Sequence, residues 1–211
     1  MGSHPEPEKV IIFLHGSGIT GFGMEKWLAS LVKPYPGTVV GLPSAPMREY
    51  MLEGKRSSVW HQRKVVDIEA VDEDLVGIDE MCEGLHEMVE SMRTIGAEDI
   101  SIGGFSMGGH LAVHAAYRNN IQVERCFVLS SFLIETSAVF VNSDRSGWCP
   151  PLYLAHGEED RIVPVEWAMK TRDRLEQEGV RTKMMTYKGL KHDLNKDVMK
   201  NLLDWINTDG D

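Results

Sequence analysis

Cysteine is scarce in this 211-residue chain: Cys82, Cys126 and Cys149 are its only three, with no CxxC pair and no Cys/His cluster. An odd, scattered set excludes a disulfide framework and fits a reducing, cytoplasmic compartment. No apolar run approaches the ~20 residues of a membrane span, and the first residues lack the apolar core of a secretory signal, so stable membrane insertion is not expected. Positive charge is also short, with 22 Lys and Arg against 32 Asp and Glu and a formal net charge of −10. That balance argues against a nucleic acid as partner and serves solubility. The loop Gly16-Ser17-Gly18 has neither the full GxGxxG fingerprint nor the GxxxxGKS/T pattern, so a phosphate cradle is not expected there. Repeats, low-complexity tracts and Pro/Ser-rich linkers are missing as well, which leaves one domain over residues 5–211. Met1-Gly2-Ser3-His4 reads as a remnant of an expression tag.

What the chain does have is short, unbroken apolar runs, at Val10 to Leu14, Thr38 to Leu42, Asp99 to Gly103, Cys126 to Ser130, Leu152 to Ala155 and Thr182 to Tyr187. Four to six residues without alternation predict strands covered on both faces. Helical spacing lies between them. Leu75, Ile78, Cys82, Leu85, Val89 and Met92 step by three or four from the acidic start Asp72-Glu73-Asp74 to a stop at Gly96. A second helix is expected from Pro164 to Gly179, and a last one carries Leu194, Val198, Leu202, Trp205 and Ile206 on one stripe. Strands alternating with helices need crossover connections, so the fold class is α/β, a mostly parallel central sheet with helices on both faces. The segment Pro43 to Val71 is too long for an ordinary connection and reads as a functional loop or a lid.

The chemistry sits where the strands end. Gly104-Phe105-Ser106-Met107-Gly108 follows one apolar run and opens a small-residue helix, the setting in which a sharp turn lifts a serine hydroxyl above a sheet. His156-Gly157-Glu158-Glu159-Asp160 and Gly189-Leu190-Lys191-His192 follow two later strands. Nucleophile, acid and base thus appear in the chain order of an α/β-hydrolase. Ser106 is the expected nucleophile and His192 the general base and later acid. Asp160 is expected to orient the imidazole, with Glu158 and Glu159 as rivals and a helix cap as its alternative role. The backbone amides of Ser17 and Met107 are the expected oxyanion hole. Tyr50, Met51, Leu52, Trp60 and Phe132 are candidates for the acyl pocket or for ordinary packing. His15 either orients the first loop or simply packs. His61, His86, His110 and His114 read as surface or packing residues. Although His110 and His114 stand four apart, no third ligand is evident, and no metal is expected.

Lined up together, His15-Gly16-Ser17-Gly18, Gly103-Gly104-Phe105-Ser106-Met107-Gly108-Gly109, His156 to Pro164 and Gly189 to Leu194 resemble the acyl-protein thioesterase and lysophospholipase-like carboxylesterases. The likeness spans residues 9–207. It implies a single-domain serine hydrolase that forms an acyl-enzyme, needs no cofactor, and places the triad on Ser106, Asp160 and His192 and the oxyanion amides on Ser17 and Met107. Two departures bear on the substrate. Met107 stands where the depalmitoylating members usually have Gln, and Ser131-Phe132-Leu133 replaces their Ser-Gly-x-Leu-Pro stretch. The implied substrate is therefore a short acyl ester; a thioester such as an S-acylated protein, or a lysophospholipid, is the alternative. A hydrolase fold that binds without turnover, and a peptidase, are the competing functions.

Overall fold

A computed structural model describes residues 9–141 and 148–208; residues 1–4, read above as a tag remnant, lie outside them. Six strands form one sheet in which every neighbouring pair is parallel. They are β1 (Lys9–Leu14), β2 (Thr38–Gly41), β5 (Asp99–Phe105), β6 (Arg125–Leu129), β7 (Leu152–Gly157) and β8 (Thr182–Tyr187), in the spatial order β2-β1-β5-β6-β7-β8. All six coincide with the apolar runs. The reason is visible in the core: Val10, Ile12 and Leu14 pack into one hydrophobic cluster, while Ile11 and Phe13 pack into another on the opposite face. Cys126 and Val128 against Phe127 and Leu129 repeat the division on β6. The inner strands β1, β5, β6 and β7 are buried on both faces and have no room for a polar alternation, whereas the edge strands β2 and β8 are half-exposed, contrary to the expected cover on both faces, because each has a neighbour on one side alone.

The first cluster is covered by α2 (Leu75–Thr94) and α3 (Met107–Tyr117), with Leu175 of α4 (Val165–Gln177). The second is covered by α1 (Gly21–Leu31) and α5 (Lys196–Asn207). Asp74 caps α2 by accepting from the Gly77 amide, and Asn195 caps α5 by accepting from the Val198 amide. Helix α1 escapes a reading of periodicity. Its first turn, Gly-Phe-Gly, has poor helix propensity, and it is held by the Thr20 cap and by burial of Met24 and Leu28. The long segment after β2 is also more ordered than expected. It folds an antiparallel hairpin of β3 (Met47–Tyr50) and β4 (Lys55–Ser58), turning at Gly54 with φ 62°. Polar strands of four residues give no apolar signal to read.

The turn between β5 and α3 is packed tightly against β1. A Cβ on Gly108 would sit far inside van der Waals contact with the carbonyl oxygen of Leu14, and one on Gly104 would meet the same oxygen. Backbone atoms of β1 cannot retreat, because β1 is paired on both sides. Gly108→Ala is therefore expected to destabilise the protein by about 3 kcal/mol or more, read as a lowered urea midpoint. An unchanged midpoint would show that β1 yields.

Candidate active site

Ser106 is the residue between β5 and α3, and its backbone is held at φ 53°, ψ −120°. Few non-glycine residues adopt such angles, and here the surrounding hydrogen bonds impose them: the Ser106 amide donates to Leu129 O at 2.9 Å, and Ser106 O accepts from the His110 amide at 3.2 Å. The result is a hydroxyl at the carboxyl edge of the sheet. His192, from the loop after β8, reaches it with Nε2 at 3.1 Å from Oγ. The other ring nitrogen, Nδ1, lies 2.7 Å from Oδ2 of Asp160, which sits three residues beyond β7. Ser106 and His192 are 86 residues apart in sequence, and His192 and Asp160 are 32 apart.

Carboxylate selection is decided by the turn after β7. Oδ1 of Asp160 accepts from the amides of Ile162 and Val163, both at 2.9 Å, and its side chain is fully buried. Burial alone would raise its pKa. The imidazoles of His156 and His192 and the Val163 amide outweigh that and hold the carboxyl well below the usual carboxylate range. A fixed anion beside Nδ1 keeps the proton there and leaves Nε2 free to accept from the serine. Glu158 and Glu159 are exposed, and Glu158 accepts from the Thr186 hydroxyl. Asp160 is not the cap of α4, since Pro164 holds that position without a side-chain bond.

The loop after β1 faces the serine. His15 orients it through both ring nitrogens: Nδ1 is 2.8 Å from Gly16 O, and Nε2 accepts from the Ala45 amide at 2.9 Å. Burial lowers the pKa of His15, which keeps the ring neutral for that pair of bonds. Trp60 stacks on His15 with ring centroids 4.8 Å apart and donates from Nε1 to His15 O at 2.8 Å. Among the described residues, neither the Ser17 amide nor the Met107 amide donates to any protein acceptor. Both residues line the cavity that holds Ser106 and His192.

That cavity measures about 440 Å³, and Trp27, Tyr50, Leu52, Arg63, Phe105 and Val163 line it with the reactive groups. Of the five expected pocket residues, Tyr50 and Leu52 line this cavity. Three are corrected. Met51 is 59% exposed at the hairpin turn, Trp60 is buried beneath the first loop, and Phe132 lines a neighbouring cavity of about 420 Å³ while packing on Trp167. A turn that directs Tyr50 inward cannot also direct Met51 inward. Trp27 went unnoticed because α1 did, and Arg63 because nothing local marks it.

The histidine pair on α3 also differs from expectation. A third candidate ligand does exist: Glu73 packs against both rings, and the donor atoms of Glu73, His110 and His114 lie within 4.8 Å of one another. Glu73 Oε1 is 3.3 Å from His110 Nε2 and 3.2 Å from His114 Nε2, and Oε2 accepts from the Ala138 amide at 2.9 Å. Arg118 Nε donates to His114 Nδ1 at 2.9 Å, so Nε2 of that ring carries the proton and offers no lone pair to an ion. The cluster is a buried acceptor with two imidazole donors. Burial pushes the His110 pKa down to about 3 and lowers those of His61 and His114. Burial would raise that of Glu73, but its two imidazole partners hold it far below the usual range.

Comparison with known proteins agrees with this architecture. The profile of the phospholipase/carboxylesterase family matches residues 2–209. Mouse lysophospholipase-like protein 1 is 36% identical over 204 residues, covering 94% of this chain and 85% of its own. Acyl-protein thioesterase 1 homolog 1 of Dictyostelium discoideum is 30% identical over 187 residues, covering 86% and 82%. Among solved structures, Arabidopsis thaliana SOBER1 superposes with a TM-score of 0.85 at 21% identity, over 95% of this chain and 98% of that one. Zea mays acyl-protein thioesterase 2 gives 0.81 at 22%, over 97% and 94%. With an unbroken sequence match and a sheet shared with these hydrolases, the chain belongs to the phospholipase/carboxylesterase family of α/β-hydrolases.

Proposed function

We propose that this hydrolase cleaves short-chain carboxylic esters, and thioesters of similar size, through an acyl-Ser106 intermediate. One observation carries the reading: the contacts from Ser106 Oγ to His192 Nε2 and from His192 Nδ1 to Asp160 Oδ2, at 3.1 and 2.7 Å. As Oγ attacks the acyl carbon, its proton passes to Nε2, and the imidazolium is stabilised by the Asp160 carboxylate. Negative charge moves to the carbonyl oxygen, where the Ser17 and Met107 amides donate to it. The leaving alcohol or thiol departs with the proton from Nε2. Water then enters, gives its proton to the same nitrogen, and attacks the acyl-serine to release the acid and restore the hydroxyl. Every proton has a place on these residues, so no cofactor enters the scheme.

Chain length is argued from Met107, which lines the cavity of Ser106 and stands where the resemblance to the depalmitoylating members implies Gln. The names of the two relatives keep lysophospholipids and S-acylated proteins as the second reading. A cytoplasmic site suits the buried thiols of Cys82 and Cys126, both raised by burial, that of Cys82 to about 12. Among the described residues no helix is long and apolar enough to cross a membrane. The test is a rate profile over acyl esters and thioesters from two to sixteen carbons, with a fluorophosphonate probe to label Ser106. A fall of tenfold or more beyond about six carbons is expected. Rates that climb toward sixteen carbons would transfer the assignment to depalmitoylation, and an unlabelled protein would overturn the hydrolase reading.

A further inference from the structure

Arg63 is a cation with a buried nitrogen and no direct ion pair among the described residues, the Glu73 carboxylate acting on it only through space. It lines the cavity that holds Ser106 and His192, and also the adjoining one lined by His61, His110 and Phe132. Among the described residues its guanidinium forms no ion pair and no hydrogen bond, and Nη2 is fully buried with no partner. What holds it is a ring: Cζ lies 5.1 Å from the centroid of Phe132. Glu73 acts on the guanidinium through space and Glu53 lines the same cavity, but both carboxylates are occupied. Glu73 accepts from two imidazoles and an amide, and Glu53 takes Lys55 at 3.1 Å and the Ser57 hydroxyl at 3.3 Å. Burial lowers the pKa of the guanidinium, yet an arginine stays charged at any working pH. A desolvated cation with unfilled donors is costly unless an anion completes it.

We infer that Arg63 is a specificity residue for an anionic substrate, binding a carboxylate or phosphate carried by the ester that Ser106 attacks. The inference rests on the hydrolase reading. The cavity shared by Arg63 and Ser106, about 440 Å³, is of the size that holds a small ligand whole. An anion on that ligand would face the guanidinium fork while its acyl carbon meets Oγ. In the adjoining cavity Nε2 of His61 and Nδ1 of His110, in tilted rings 4.7 Å apart, are also buried without partners. Since His61 Nδ1 faces Gln62 O and His110 Nε2 faces Glu73, both orphans are acceptors and do not compete for the anion.

The experiment compares matched esters by pH-stat. Ethyl hydrogen adipate against ethyl hexanoate places the carboxylate on the acyl side; butyryl glycolate against ethyl butyrate places it on the leaving side. The wild-type protein is expected to favour the anionic member of one pair by about tenfold or more in kcat/KM, and the pair that responds identifies the side. Arg63→Gln is expected to bring that ratio to one or below, and Arg63→Lys, which keeps the charge but not the fork, to an intermediate value. Should Arg63→Gln fail to fold, the Lys variant and the wild-type ratios still decide. Neutral members preferred in both pairs, or a preference that survives Arg63→Gln, would overturn the inference and leave the hydrolase standing. If none of the four esters is cleaved and the fluorophosphonate does not label Ser106, both readings fall together.

Discussion

Ser106→Ala is expected to lower kcat/KM for an acyl ester by on the order of 10⁴-fold or more, with the unfolding midpoint essentially unchanged. The substitution removes one oxygen from a position at the sheet edge where the backbone, not the side chain, carries the tight packing. What remains is the cavity with the proposed pair of amides at Ser17 and Met107, groups that can polarise an ester but cannot attack it. Asp160→Asn is expected to lose a comparable factor for a different reason: an amide facing Nδ1 no longer holds the imidazole proton there, so Nε2 ceases to be an acceptor. Because the three groups act as a unit, combining Ser106→Ala with His192→Ala should cost little more than either alone. Full additivity of the two losses, or a Ser106→Ala variant retaining a tenth of the activity, would contradict the acyl-serine route.

Glu73→Ala is expected to destabilise the fold by about 3–5 kcal/mol, read from urea unfolding at neutral pH. Removing this carboxylate strands the Nε2 donors of His110 and His114 and the Ala138 amide in a buried environment at once. The same cluster makes stability depend on acid. His15, His61, His110 and His114 all have folded-state pKa values below the ordinary 6.5, with His110 at about 3. Below 6.5 the unfolded chain takes up protons that the folded rings refuse, so unfolding is favoured as pH falls; above 6.5 the full stability is present. Each ring contributes a slope of up to about 1.4 kcal/mol per pH unit across that window. Glu73 acts in the same sense at still lower pH, since only the unfolded carboxylate gains a proton there. Unfolding midpoints should therefore drop steadily from pH 7.5 to 5. A flat profile would mean that these rings are charged or solvated in the folded protein.

The three residues that meet in the candidate site could be picked out in the sequence because each is announced by its own neighbours. Ser106 stands between an apolar run and a run of small residues, Asp160 between a strand and a helix start, and His192 after a strand and a glycine with φ 73°. Turn chemistry of this kind acts over a few residues, so it is written in adjacent letters. The pocket was less legible. Whether Tyr50 or Met51 faces the serine depends on which way a four-residue polar strand is turned, and no apolar alternation records that.

By itself, the order of residues determined the parallel sheet and its six strands, and placed three candidate reactive groups at their carboxyl ends, because short apolar runs alternating with helical patterns require parallel crossovers. Only the tertiary structure decided that Glu73, 41 positions from His114, serves as a buried acceptor instead of an exposed helix-start acid. It alone placed Trp27 of an unrecognised helix and the unpartnered Arg63 around the nucleophile. Those outcomes turn on which distant side chains exclude water from one another. Such desolvation is a property of the packed whole, and no window of neighbouring residues contains it.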